Sequence, residues 1–531
     1  MIINSGSSSV KASLLCPSSG TGEKADGGLG IHSDADRAAD ETAEQKEKRK
    51  PSALLSPTVR LLSAHAEMLG RPGSSLTVNI CTFAITIITE RMQMQQQQKD
   101  RDASSSSSIL CRLEGLLLTP RAADGEYDHP RKKKRGMPRP LGNAKKFTME
   151  NMSHQWAIET IVERMILMCG RPRIMQSITA IGRRVVQGGD QFSADATIVT
   201  ESVLKPIGNI SHLAPLSVFK LRWWLMMADV LGYSAFLTQR CICRHNPSNI
   251  LGIKIAQRKF KNVPNIVVFD TSFHTTMPRY IKTYPLPAEY AQHQIRKYGF
   301  HGTSVKYVYL QASARLSTMG KRCTRMIIAH LGNGASATAV VNGQSVDTTM
   351  GFTPLSGTMM GTRSGSVDPS IVTYASKEMG KSAEEVLEDL NKRSGLHGIS
   401  KGDHDMREII KKASKGNEDA LLAIGMYVHI LAKHIAGLIV SCGGDIDALV
   451  FTAGIGEHCY CIRNLTVKKL DFLLRGVQLD NNLNLADGRN SDGLISVDND
   501  ADRAGCAVLV IPTDEEAMIC YECEMLAQKN I

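Results

Sequence analysis

The chain has 531 residues, 42% hydrophobic and 22% charged, enough to bury a sizeable core over two or three domains and too apolar for a wholly disordered polymer. A formal net charge of +11 would suit a nucleic acid or an anionic membrane as partner. Between Arg131 and Lys146, however, eight basic residues stand without an acid and carry most of that excess, so a generally basic surface is excluded.

In chain order, Met1-Ile2-Ile3-Asn4 lacks the basic start, apolar run and small-residue cleavage site of a secretory signal. The thirteen cysteines are therefore expected as reduced thiols of a cytoplasmic protein. Residues 16–150 hold a charged tract (Glu41–Lys50), a glutamine run (Gln95–Gln98) and a serine run (Ser104–Ser108). Such composition cannot repay the entropy of ordering, and the region is expected to be largely disordered. Within it the apolar piece Val78–Ile88 fits a strand or a brief helix. The basic run Arg131–Arg135 spells a nuclear-import signal, but no aromatic interleaving or groove-reading motif accompanies it, so nucleic acid is not the expected partner.

From residue 151 the texture is α/β, with short β-branched runs alternating with amphipathic stretches such as Ala157–Met168 and Asp419–Val440. Trp223–Leu237 contains Asp229 and is shorter than the ~18 to 20 residues of a spanning helix, so no membrane span is expected. In Arg325–Thr349 the pairs Asn333-Gly334 and Asn342-Gly343 punctuate three β-rich runs, predicting a three-stranded antiparallel meander with type I′ turns. Ala448–Thr452 leads through Gly454-Ile455-Gly456 into a helical pattern, and Val508–Ile511 leads through Thr513-Asp514-Glu515-Glu516 into a terminal helix. A strand, a tight turn and a helix amino terminus together cradle phosphate. Cys520 and Cys523 have no second pair at zinc spacing and are expected as ordinary helix cysteines.

The loops Asn4-Ser5-Gly6-Ser7-Ser8-Ser9-Val10-Lys11, His330-Leu331-Gly332-Asn333-Gly334-Ala335-Ser336 and Thr452-Ala453-Gly454-Ile455-Gly456-Glu457 follow the order of the two phosphate loops and the adenosine loop of the actin and sugar-kinase superfamily. With Val268-Phe269-Asp270-Thr271-Ser272-Phe273-His274, Tyr298-Gly299-Phe300-His301-Gly302-Thr303-Ser304 and the block from Met350 to Gly365, the chain resembles the acetate kinases over residues 1–15, about 145–216 and 245–531. The resemblance implies two actin-like (ribonuclease H-like) α/β domains, mixed sheets flanked by helices, with a cleft between them. The first domain would comprise 1–15 (first strand and phosphate loop) and 151–270, the second 271–510, and residues 511–531 would return to the first.

It also implies magnesium-dependent phosphoryl transfer between ATP and acetate, giving acetyl phosphate and ADP, by a homodimer; manganese is the alternative metal. Fixed positive charge and preorganised donors, rather than covalent machinery, suit such a transfer between anions. By resemblance Arg184 and Arg363 bind the carboxylate and the phosphoryl in flight, His301 and His245 donate to phosphoryl oxygens, and Asp270 is the essential acid. Carboxylic acids titrate near pH ~4, so the acceptor needs no general base and a positioning role suits Asp270 best; His274 is expected to be structural. Asn4 and Glu515 match metal-associated positions, although Thr513-x-x-Glu516 also spells a helix capping box. Nucleotide contacts implied are Lys11, His330, Leu331, Gly332, Asn333, Gly334, Ala335, Asp405, Met406, Arg407, Gly454, Ile455, Gly456, Glu457 and His458.

The sequence departs from the family pattern in several places. Leu213-Ala214-Pro215-Leu216 is parted from His245-Asn246-Pro247 by the 28 residues Ser217–Arg244, a break that reads as an in-frame retained intron or mispredicted exon. Arg183 and Gln187 stand where the family has histidine, Val305 likewise, and His458 stands for asparagine. The rival readings are a propionate or butyrate kinase of the same family, a product that is inactive as written, and a non-catalytic nuclear or nucleic-acid-binding protein.

Overall fold

The computed structural model describes residues 178–189, 191–192, 196–209, 245–497 and 505–529, and the strands at 2–5, 9–17, 58–67, 74–80 and 145–149. Its frame is two mixed sheets. The first contains β1 (Ile2–Ser5), β2 (Ser9–Pro17), β3 (Thr58–Glu67), β4 (Ser74–Ile80), β5 (Lys145–Met149), β6 (Ile181–Val185), β7 (Ala196–Ile198) and β8 (Asn265–Phe269), in the order β5-β4-β3-β2-β1-β6-β8-β7. The second contains β9 (Arg325–Leu331), β10 (Ala335–Val341), β11 (Gln344–Thr348), β12 (Ala448–Thr452) and β13 (Ala507–Val510), in the order β11-β10-β9-β12-β13.

One connectivity occurs twice. In β3-β2-β1-β6-β8 and in β11-β10-β9-β12-β13 an antiparallel meander is followed by two strands parallel to its first member. This is the α/β duplicate of actin-like halves expected from the sequence. The parallel strands β8 (Asn-Ile-Val-Val-Phe) and β12 (Ala-Leu-Val-Phe-Thr) are buried at every position, as strands covered on both faces must be.

The principal helices are α1 (Glu201–Asn209), α2 (His245–Lys259), α3 (Gly302–Thr318), α4 (Met406–Ala413), α5 (Glu418–Ser441), α6 (Ala453–His458), α7 (Tyr460–Lys469) and α8 (Glu515–Lys529). Asn417 caps α5, its side chain accepting from the Ala420 N–H at 2.9 Å. Among the described residues only α5 is long and apolar enough to cross a membrane. Its buried positions Ala420, Ala423, Tyr427, Leu431, Ile435 and Leu438 recur at helical spacing and join the core over the second sheet, as the stripe of a core helix does. Helix α8 packs Ile519 and Cys523 against Ile266 and Val268 of β8 in the first sheet; Cys520 and Cys523 are free thiols.

Two sequence details come out differently. Asn342 and Gly343 take the left-handed conformation (φ 50° and 80°) of a type I′ turn, but Asn333 and Gly334 do not. There β9 and β10 are joined by three residues, closed by the Gly332 N–H donating to the Gly334 carbonyl at 3.1 Å, and a loop of that length has no need of the two-residue turn. In the tract expected to be largely disordered, β3, β4 and β5 extend the first sheet, and β4 takes in Val78–Ile80 of the ambiguous apolar piece. The tracts Glu41–Lys50, Gln95–Gln98 and Ser104–Ser108, the Ala157–Met168 pattern and Trp223–Leu237 lie outside the described residues.

Candidate active site

Strand β6 carries Arg184 near its end, and the parallel neighbour β8 runs directly into Asp270. Arg184 Nε donates to both carboxylate oxygens of Asp270 (2.7 and 2.9 Å) and Nη2 donates to Oδ2 at 2.5 Å, the planar fork matched to its partner. Nη1 lies 3.3 Å from Glu515 at the start of α8. Burial works to lower the Arg184 pKa, but Asp270 and Glu515 outweigh it and hold the guanidinium charged. Burial pushes the Asp270 carboxyl above its ordinary range, and Arg184 opposes that shift. Both carboxylate oxygens already accept N–H donors, with Thr303 Oγ1 adding a third partner at 3.2 Å, an arrangement suited to a carboxylate rather than an acid.

The first turn of α3 sits against this pair. The Gly302 N–H donates to the Asp270 carbonyl at 2.9 Å, and a β-carbon on Gly302 would lie 2.2 Å from that oxygen, so only glycine permits the approach. His301, just before it, is left-handed (φ 62°), a strained conformation for a non-glycine residue of the kind that concentrates at functional sites. The strain turns its ring onto that of His330 from β9, stacked at 4.1 Å. His301 Nδ1 is bonded to Ser336 Oγ (2.9 Å) and His330 Nδ1 to Ser304 Oγ (2.8 Å). Burial, aided by His330 and the nearby arginines, pushes the His301 pKa well below its usual value; burial lowers that of His330 to about 4. Both rings are neutral at pH 7.

Arg363 closes the group from the second half. A β-carbon on Gly334 would stand 3.2 Å from Arg363 Nη1 and 3.7 Å from His301 Nε2, so guanidinium and imidazole both point to the space beside the 332–334 turn. The contacts of Arg363 are weak, the Pro354 carbonyl at 3.5 Å and Met360 Sδ at 3.9 Å. No carboxylate pairs with it among the described residues, and burial lowers its pKa.

Arg184, Asp270, His301, His330, Arg363 and Glu515 are thus brought together, from segments separated by up to several hundred residues. Leu331 and Ala335 are buried, anchoring a turn in which Asn333 is exposed. Ala453 to His458 form α6, with Gly454 exposed and Gly456 buried, and Glu457 Oε1 accepts from the Ala453 N–H at 2.8 Å. His458 is exposed, 3.6 Å from Asp487. Asp405 caps α4 and pairs with exposed Arg407 at 2.6 Å, while Met406 is buried; these side chains bond each other rather than the central cluster. His274 lies in the core between Ser345 Oγ and the Phe300 carbonyl, each at 2.9 Å. Asn4 and Lys11 face one another in register on β1 and β2, and His245 begins α2, but the side chains of these three lie outside the described residues.

The capping box also changes. Asp514, not Thr513, accepts from the helix, at 3.0 Å from the Ala517 N–H, because the Thr513 hydroxyl is bonded to Ser304 Oγ at 2.7 Å. Ser304, Ser336 and Thr513 stand inside the quoted motifs, but sequence reasoning gave them no part in the site, since a hydroxyl's hydrogen-bond partner is not written in its motif. Arg183, beside Arg184 on β6, is 2% exposed with Nε and Nη2 lacking acceptors, and burial lowers its pKa to about 9; nothing in the structure explains this placement. As for a divalent ion, no cluster of three or more ligating side chains occurs among the described residues. Glu515 and Asp270 nevertheless present carboxylate oxygens to one guanidinium, the hard donor chemistry of magnesium, which takes one or two protein oxygens and keeps much of its water.

A model of the acetokinase family matches residues 134–219 and 239–521, interrupted inside Ser217–Arg244 and beginning after the Asn4–Lys11 loop. An acetate kinase of Caldanaerobacter subterraneus is 40% identical over 386 residues, 72% of this chain and 86% of the relative. One from a Geobacillus species is 42% identical over 376 residues, 71% and 85%. Among solved structures, a propionate kinase of Francisella tularensis has a TM-score of 0.65 at 30% identity, covering 98% of this chain and 97% of its own. The acetate kinase of Porphyromonas gingivalis has 0.65 at 26%, covering 99% and 98%.

Proposed function

The chain belongs to the acetokinase family and is a kinase, and from that premise we propose that it is an acetate kinase, moving the γ-phosphoryl group of ATP reversibly to acetate to give acetyl phosphate and ADP. One observation carries the reading: Arg363 is a half-buried guanidinium with no carboxylate partner among the described residues, converging with His301 Nε2 on the phosphate turn. A partly desolvated cation without a counter-charge is costly, and an incoming anion removes that cost.

In this reading an acetate oxygen attacks the γ-phosphorus in line, the new O–P bond forms as the bond to the β-phosphate oxygen breaks, and ADP leaves with those electrons. Arg363 and the neutral His301 stabilise the equatorial phosphoryl oxygens, and Arg184, held rigid by Asp270, orients the carboxylate. No proton transfer is required of Asp270, whose oxygens are occupied by Arg184 and Thr303. Magnesium, held by Glu515 with Asn4, would supply charge neutralisation at the phosphates. The turn 332–334, α6 and the Asp405–Arg407 pair are read as the nucleotide side, with Lys11 at the first loop, and His245 as a second donor. The first domain is read as 1–15 with 151–270 and the terminal segment 511–531, the second as 271–510. A cytoplasmic homodimer is part of the same reading.

The Francisella relative, titled a propionate kinase, favours a second reading, the longer acyl substrate. A methylene is worth only ~1 to 3 kcal/mol of discrimination. A hydroxamate assay with acetate, propionate and butyrate, on the full chain and on a form lacking Ser217–Arg244, tests both. Acetate is expected to give the highest kcat/KM; propionate leading by tenfold would replace the reading, and no acyl phosphate from either form would end it.

A further inference from the structure

The two stacked histidines are tied differently. Ser336, which holds His301, is the next residue but one after Gly334 on β10, whereas the hydroxyl holding His330 belongs to a longer chain. Ser304 Oγ lies 2.8 Å from His330 Nδ1 and 2.7 Å from Thr513 Oγ1, a residue 209 positions away. The Thr513 N–H donates to Glu457 Oε1 at 3.2 Å, the oxygen that also accepts from Ala453 at the start of α6. Two residues on, Glu515 pairs with Arg184. Thr513 therefore stands in the crossing from β13 to α8 with its amide on Glu457 of α6 and its hydroxyl on Ser304, the residue that bonds His330.

We propose that Thr513 and Ser304 are positioning residues for phosphoryl transfer, their hydroxyls fixing His330 as the tautomer that carries its proton on Nε2. A β-carbon on Gly332 would lie 3.8 Å from His330 Nε2, so this nitrogen faces the phosphate turn. A lone pair there would repel an anionic phosphoryl group, while an N–H attracts it. A neutral imidazole has a single N–H; with that proton on Nε2, Nδ1 accepts the one proton of Ser304, whose oxygen then accepts from Thr513. Burial keeps the ring neutral, so the hydroxyl relay and not protonation selects the donor. The inference rests on the phosphoryl-transfer reading above.

Thr513→Val keeps the shape and removes the hydroxyl, and Thr513→Ser restores it. In the full chain with 15N-labelled histidine, a long-range proton–nitrogen spectrum, with His330 assigned through His330→Gln, is expected to show the Nε2–H form in the parent and Thr513→Ser. Thr513→Val is expected to show a mixture of tautomers. In the acyl phosphate assay Thr513→Val should lower kcat about tenfold, the value of one hydrogen bond, with the KM for acetate unchanged, and Thr513→Ser should recover it. A parent in the Nδ1–H form, or a Thr513→Val chain with parental tautomer and kcat, overturns the proposal. The tautomer is read without turnover, so failure of the relay and failure of the kinase reading are separate results.

Discussion

The two halves share a strand order and hold their arginines in opposite ways. From the first sheet, Arg184 gives three N–H contacts to Asp270 and lies 3.3 Å from Glu515, and these acids keep it charged despite burial. From the second half, Arg363 meets among the described residues a carbonyl and a thioether, and burial lowers its pKa. The first charge is already matched inside the chain and serves as a rigid strut; the second remains available to an anion from outside. One duplicated frame thus provides both orientation and electrostatic attraction.

The comparison breaks most severely at its strut. Asp270→Ala leaves the largely buried Arg184 without its fork partner, and removing one member of a buried pair costs about 3 to 5 kcal/mol. Urea unfolding at pH 7 should register that loss, and a change under about 1 kcal/mol would show that Arg184 does not depend on the pair. Next in size, Arg363→Ala should reduce acetyl phosphate formation about 10²- to 10³-fold, as loss of a transition-state donor does, while leaving the unfolding midpoint close to the parent's. Activity near the parental rate would refute the role of this charge.

At neutral pH, the most gradual effect comes from the neutral histidines. His330 titrates at about 4 in the folded chain and near ~6.5 unfolded. As pH falls the unfolded chain therefore takes up the proton first. The stability contributed is complete above ~6.5 and is lost as pH descends towards 4, at about 1.4 kcal/mol per pH unit for each such histidine. His274, also lowered to about 4 by burial, acts in the same sense. Unfolding free energies of His330→Gln and the parent at pH 7, 5.5 and 4.5 should converge with acid; parallel curves would mean that His330 is not held neutral.

The meander at 325–348, the strand at 448–452 and the long helix α5 were legible in the sequence because turn chemistry and hydrophobic period are local properties. The Asn333-Gly334 turn was misread for the complementary reason: the dipeptide permits a type I′ turn, and a three-residue connection took its place. Thr513 was legible as a cap, yet its hydroxyl is engaged by α3, leaving Asp514 to cap the helix. Local preference yields where a distant partner offers a better bond.

By itself the sequence determined the strands at 325–348, 448–452 and 507–510 and which arginines and histidines belong to the family's motifs. Only the tertiary structure decided that Arg184 is bound to Asp270, 86 residues away, that Arg363 has no such partner among the described residues, and that Ser304 links His330 to Thr513. Charge pairing and hydroxyl direction depend on distances of a few ångströms between segments far apart in the chain, and no periodicity or spacing along one strand encodes them.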